Sequence, residues 1–160
     1  YNRVVKDLKG MTDRQLLSRI APCFEIDFTG EEEARPKKKG EFGMYLRDGW
    51  YLLTIREELN SRDPVEGLDT ALLQKYVLGP VFGIRDPRTD GRISFVGGLR
   101  GAAELESKVN REGGAAFLMY PTSMEELFAV ADAGRLMPPK STWFEPKLRS
   151  GLLIYSLKEE

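Results

Sequence analysis

Residues 42–55 read FGMYLRDGWYLLTI. Phe42, Met44 and Leu46 alternate with other residues, Arg47-Asp48-Gly49 interrupts them, and Trp50 to Ile55 resumes the apolar run. Asp-Gly between two such runs signals a hairpin, because glycine reaches the backbone angles that a tight turn demands. Upstream, Phe24, Ile26 and Phe28 alternate with Glu25 and Asp27, the period of a half-buried strand. Residues 24–56 are therefore expected to form a three-stranded antiparallel meander. Within it, GEEEARPKKKG at 30–40 sets three glutamates before three lysines. That stretch reads either as a solvated loop or as a lysine cluster able to hold phosphate.

On the N-terminal side, Tyr1 to Val5 reads as a short strand. Thr12-Asp13-Arg14-Gln15 has the form of a capping box, opening a helix with Leu16, Leu17 and Ile20 on one face and ending at Pro22. On the C-terminal side, Asp63-Pro64 is a helix start, and a longer helix is expected over about Asp69 to Leu78. Gly79-Pro80 ends or kinks it, and residues 85–91 (RDPRTDG) form a turn-rich loop. Arg92 to Val96, Ala102 to Val109 and Ala115 to Tyr120 then read as strand, helix and strand, a βαβ unit with parallel strands. Ser123-Met124-Glu125-Glu126 is a second capping box, its helix closing at Gly134 with Leu136 as the hydrophobic contact. Trp143-Phe144 and Leu152 to Tyr155 read as a last pair of strands. The fold expected is α+β: a mixed sheet with an antiparallel meander (24–56), a C-terminal βαβ unit (92–120), a final β-hairpin and about four helices.

The 160 residues suit one domain, and because the chain runs from Tyr1 straight into strand-like residues it is expected to be a piece of something longer. With 24 basic and 25 acidic residues there is no bulk electrostatic drive toward nucleic acid or an anionic membrane. No apolar run approaches the ~20 residues needed to span a bilayer, so a cytoplasmic protein is expected. Cys23 is the only cysteine, which precludes an intramolecular disulfide and fits a reducing compartment; its neighbours suggest a buried thiol. Histidine is absent. This removes Ser-His and Cys-His catalysis and the commonest metal ligand, and no metal is expected. Acid–base work would fall to carboxylates such as Asp69, Asp86, Asp90 or Glu145, which near neutrality need a strongly shifted pKa. Each reads equally as a cap, a turn residue or a solvated charge.

Two loops should meet where parallel strands end, the usual place for ligands in an open sheet. One carries Gly97, Gly98 and Arg100; the other carries Thr122 and Ser123. Glycines admit a ligand to the backbone and helix N-termini present N–H groups, a combination suited to phosphate or carboxylate, although tight-turn and capping roles explain the same residues. Residues 137–151 (MPPKSTWFEPKLRSG) add three prolines, Lys140, Lys147 and Arg149, and the hydroxyls of Ser141, Thr142 and Ser150. They read as an anion-binding segment or as a stiff connection with Trp143 and Phe144 in the core.

Pro121-Thr122-Ser123-Met124, Ala131-Asp132-Ala133-Gly134, Met137 to Thr142, Phe144, Pro146-Lys147-Leu148 and Ser150-Gly151-Leu152 resemble the C-terminal signature of the bacterial and archaeal family catalogued as domain of unknown function 1015. Arg3-Val4-Val5 and Phe95-Val96-Gly97-Gly98 resemble it too. Family members carry an Asp-Gly-His-His-Arg type motif, similar to that of the ParB and serine-kinase-like fold, in their N-terminal half; this chain has no histidine, so the resemblance implies that it is the C-terminal half, with the protein's own N-terminal half as a partner. Members in anaerobes often neighbour serine-biosynthesis genes, which implies a link to serine or phosphoserine metabolism. On this basis the chain is expected to be the substrate- or phosphate-binding half of an enzyme of phosphoryl-transfer or phosphate-ester chemistry, binding a small anionic metabolite. No cofactor is expected in this chain, and a nucleotide with Mg is expected in the full-length protein. The alternatives are a non-catalytic docking or homodimerisation module and, third, a ParB-like nucleic-acid-associated protein.

Overall fold

The Asp48-Gly49 signal folds as a hairpin. The structure, a computed structural model, describes residues 1–98 and 101–143. Strands β1 (Asn2–Val5), β2 (Phe24–Thr29), β3 (Glu41–Leu46), β4 (Gly49–Ile55), β5 (Ile93–Val96) and β6 (Ala115–Met119) form one sheet. In the hairpin Leu46 lies opposite Gly49. Gly49 has φ +140°, a conformation that L side chains rarely adopt, and a Cβ there would stand 2.9 Å from the Phe28 ring, so both favour glycine. β2 pairs with β4 and not with β3, with Phe24 opposite Ile55. The three strands of 24–56 are antiparallel with β4 in the middle, and residues 30–40 carry the chain past it. That excursion is anchored, not wholly solvated. Ala34 is fully buried, and its carbonyl lies against Gly43, where a Cβ would approach it to 2.5 Å.

The strand order is β2-β4-β3-β6-β1-β5. Helix α3 (Gly101–Glu112) connects β5 to β6 as the sequence predicts, and both strands run antiparallel to β1, hence parallel to each other. They are not neighbours, because β1 lies between them, Arg3 facing Phe95 on one side and Phe117 on the other. Every pairing among the described strands is therefore antiparallel, which corrects the expected mixed sheet. Local periodicity reports a strand's existence but not which distant strand will complete its hydrogen bonds.

Helices cover both faces of the sheet. On one, α1 (Asp13–Ile20) and α2 (Asp69–Leu73) join Phe24, Phe42, Met44, Leu53 and Phe117 in the main core. α2 continues as a π-helical turn over Gln74–Leu78 that adds Val77 and Leu78. On the other face, α3 sets Ala102, Leu105 and Val109 against Val4, Trp50, Ala116 and Leu118. Each large side chain withdrawn from water here contributes ~1.5–3 kcal/mol before conformational entropy is charged against it. β6 feeds both cores through alternate residues, as its uniformly apolar sequence implied.

Both capping boxes form, Thr12 with Gln15 on α1 and Ser123 with Glu126 on α4 (Met124–Asp132). Asp63 caps a turn and not the expected helix: its Oδ1 accepts from the backbone N–H groups of Val65 and Glu66. Gly134 takes the left-handed conformation, φ +64°, but Leu136 is 89% exposed and supplies no packing contact. Cys23 is half-buried against the main core, less enclosed than expected. The expected final hairpin (Phe144, Leu152 to Tyr155) lies outside the described residues. No helix among the described residues is long and apolar enough to cross a membrane.

Candidate functional site: two cavities beside one strap

Because β5 and β6 run the same way, their C-terminal ends emerge together at the start of β1. Residues 138–143 lie across this edge as a strap. The Arg3 Nη2 donates to the Lys140 carbonyl at 3.2 Å, and Thr122 Oγ1 donates to the Ser141 carbonyl at 3.1 Å. Ser141 is 6% exposed; its Oγ donates to the Pro138 carbonyl at 2.6 Å and lies 3.2 Å from Thr70 Oγ1. The Trp143 ring rests on Gly97, where a Cβ would come within 3.0 Å of it. Glycine at 97 is thus explained by packing.

On one side of the strap is a cavity of about 330 Å³. Gly98, Thr122, Ser123, Ser141 and Thr142 all border it, so the strand-end loops and the Pro-stiffened segment do converge. Its other walls include Tyr1, Asn2, Met119, Leu127 and Trp143, and none of its lining side chains carries a formal charge. Three of the hydroxyls are already engaged: Thr122 and Ser141 hold the strap, and Ser123 Oγ accepts from the Glu126 N–H. The Lys140 ammonium lies over the Tyr1 ring, 5.1 Å from its centroid, and does not line the cavity. Trp143, expected in the core if the segment is a stiff connection, is half-buried. Arg100, Glu145, Lys147, Arg149 and Ser150 lie outside the described residues.

The cations gather on the other side of the strap. A cavity of about 510 Å³ is bordered by Arg3, Lys75, Arg85 and Arg88, together with Glu66, Thr70, Gln74, Asp86, Pro138 and Pro139. Arg88 is committed to Asp86 through a bidentate ion pair, which in turn holds the Asp86 carboxyl down at about 2. Arg3 is different. It is 3% exposed, its Nη1 donates to the Tyr1 carbonyl at 2.5 Å, and no carboxylate among the described residues pairs with it. Burial lowers its pKa to about 10, which leaves it charged at neutral pH. A buried cation without a counter-charge is costly, and an anion in the adjoining cavity would relieve that cost. Gln74 borders the same cavity; its Nε2 donates to the Ile84 carbonyl at 2.7 Å, and its buried Oε1 has no partner among the described residues.

A third polar cluster lies at the base of α2. Asp69 is 9% exposed, and its Oδ1 accepts from the Gly40 N–H at 2.9 Å. Burial pushes its carboxyl up to about 6, with Glu126 adding to the rise and the Gly40 hydrogen bond and Lys39 opposing it. Lys39 reaches Glu126 at 2.7 Å and Lys38 lies 3.9 Å from Glu41, so these lysines of the 30–40 run are tied to carboxylates. Asp90 is held below the carboxylate range by hydrogen bonds from Arg92. Of the carboxylates singled out in the sequence and described in the structure, only Asp69 titrates near neutrality, and it borders neither cavity. Among the described residues no group of three His, Cys, Asp or Glu side chains could hold a metal ion.

Sequence reasoning passed over Arg3, Arg85 and Gln74. The available signal was Arg3 itself, a charge inside a four-residue strand that ends on two valines.

No curated protein and no solved structure matches the chain. The family described as protein of unknown function (DUF1015) matches residues 1–71, a region containing β1 with Arg3, the β2–β4 unit, and Asp69 and Thr70 of α2.

Proposed function

We propose that this domain binds a small anionic metabolite, a phosphate ester or carboxylate that also carries a hydroxyl or ammonium donor, as the substrate-binding part of an enzyme. The observation that carries the reading is the buried Arg3 guanidinium, unpaired among the described residues, at the border of a cavity that Arg85 and Lys75 also face. A guanidinium offers a planar fork of donors that matches phosphate or carboxylate oxygens. Gln74 Oε1 supplies an acceptor for a donor on the same ligand. The strap fixes the arginine from one side through the Lys140 carbonyl. Phosphoserine has this chemistry, in keeping with the serine link implied by the family resemblance.

Isothermal titration with O-phosphoserine, inorganic phosphate, ADP and serine tests the reading. The two simple phosphate ligands should bind one per chain, and serine at least ~10-fold more weakly. Arg3→Met should abolish the phosphate heat, whereas Lys140→Ala should weaken it less than ~3-fold. Equal affinities in Arg3→Met and the natural protein would remove the basis of the proposal. A docking role is favoured by a separate observation, the 57% and 89% exposure of Phe128 and Leu136 on and just after α4. It predicts a concentration-dependent change in sedimentation that Phe128→Ser eliminates.

A further inference from the structure

We infer that the 330 Å³ cavity on the other side of the strap is a second ligand site, for an uncharged, flat, largely apolar group bearing a hydrogen-bond acceptor. Apart from the shared wall at Thr70 it is lined by different residues from the anion cavity, and it stands or falls separately.

The chemical class follows from the walls. Met119, Leu127, Tyr1 and Trp143 provide apolar and aromatic surface, and no lining side chain carries a charge that an ionic ligand could meet. The cavity lies at the small end of the range for ligand sites, which suits a one- or two-ring group. Thr122, Ser123 and Ser141 are engaged within the protein.

Asn2 differs from them. It borders the cavity and is 3% exposed. Its Oδ1 accepts from the Met119 N–H at 3.0 Å. That bond fixes which way the amide faces, since turning it over would set two donors against each other. Its Nδ2 is buried and has no acceptor among the described residues. Buried donors in native proteins are almost always matched, and an unmatched one beside a cavity calls for an acceptor from a ligand. A carbonyl or ring nitrogen on a flat apolar body supplies both the acceptor and the surface that the aromatic walls can cover.

Saturation-transfer NMR with isoquinoline and its carbocyclic counterpart naphthalene tests the inference. Isoquinoline should receive saturation from the protein, shift the Asn2 side-chain amide resonances and bind at least ~5-fold more tightly than naphthalene. Asn2→Ser should erase that preference. Gly98→Phe should abolish binding of both compounds by filling the rim; an added Cβ at Gly98 meets nothing within 4 Å, and an unchanged thermal melt checks that the fold is kept. Saturating inorganic phosphate should leave isoquinoline binding unchanged, which separates this site from the anion cavity. Absence of saturation transfer, equal affinity for the two compounds, or binding that survives Gly98→Phe would each overturn the inference.

Discussion

The two cavities flanking residues 138–143 share a wall at Thr70 yet differ in what their polar groups are doing. In the smaller one three of the hydroxyls the sequence advertised, Thr122, Ser123 and Ser141, face partners within the protein and hold the strap or cap α4. In the larger one the contrasting group is a single arginine on β1, buried, hydrogen-bonded to two backbone carbonyls and lying over the Phe95 ring, with no carboxylate partner among the described residues. A residue type suited to binding is not thereby free to bind. The discriminating quantity is whether its hydrogen-bonding and charge requirements are already met by the fold.

The largest effect that would sharpen this contrast is at Arg3. Removing a guanidinium that makes charge-assisted contacts should weaken phosphate binding by ~100-fold or more. Stability of the ligand-free protein should change by less than ~1 kcal/mol, because loss of two backbone hydrogen bonds is offset by relief of a buried charge. Denaturant melts with and without phosphate separate the two. A large loss of stability without ligand would make Arg3 structural.

Asp69 is the next in size. Its folded-state pKa of about 6 lies above the ordinary 3.8, so the native state binds the extra proton. The stability this contributes is fully present below about pH 4 and is lost as pH rises through about 6. Asp69→Asn keeps an acceptor for the Gly40 N–H, should raise stability at pH 8 by ~1–3 kcal/mol, and should flatten the dependence between those pH values. Chemical denaturation at pH 4, 6 and 8 checks the sign. An unchanged pH profile would show that Asp69 is ordinarily ionised.

Ser141→Ala leaves Thr70 Oγ1 without its 3.2 Å partner and should cost ~1–2 kcal/mol of stability. Because the strap also positions Arg3, a several-fold loss of phosphate affinity should accompany it. Arg85→Met, at an exposed position, should cut phosphate affinity only ~2–5-fold, with the effect shrinking at high salt. A salt-independent loss of larger size would place Arg85 in direct contact with the anion.

What the sequence discloses divides along the same line between local and distant interactions. Asp48-Gly49, the Thr12 and Ser123 capping boxes, and the doubly apolar β6 are signals contained within a few residues, and each forms as read. The insertion of β1 between β5 and β6 is not of that kind. It depends on a strand more than ninety residues away closing two open edges at once, and no periodicity records it. The same applies to β4 lying between β2 and β3, and to Asp63, whose cap serves a turn because the chain reaches its helix only at Asp69. The candidate site was legible as a place, since parallel strand ends gather 97–98 and 122–123 beside 141–143. Its cations were not, because whether Arg3 is buried and unpaired is settled by the strap, α2 and residues 85–88 together.

The most direct test is to watch the Arg3 side chain itself. In 15N-labelled protein titrated with inorganic phosphate, the Arg3 guanidinium resonances should shift saturably and sharpen as the anion locks the fork, whereas those of Arg88, already paired with Asp86, move little. Arg3 signals that stay fixed while phosphate shifts other arginines would contradict the account.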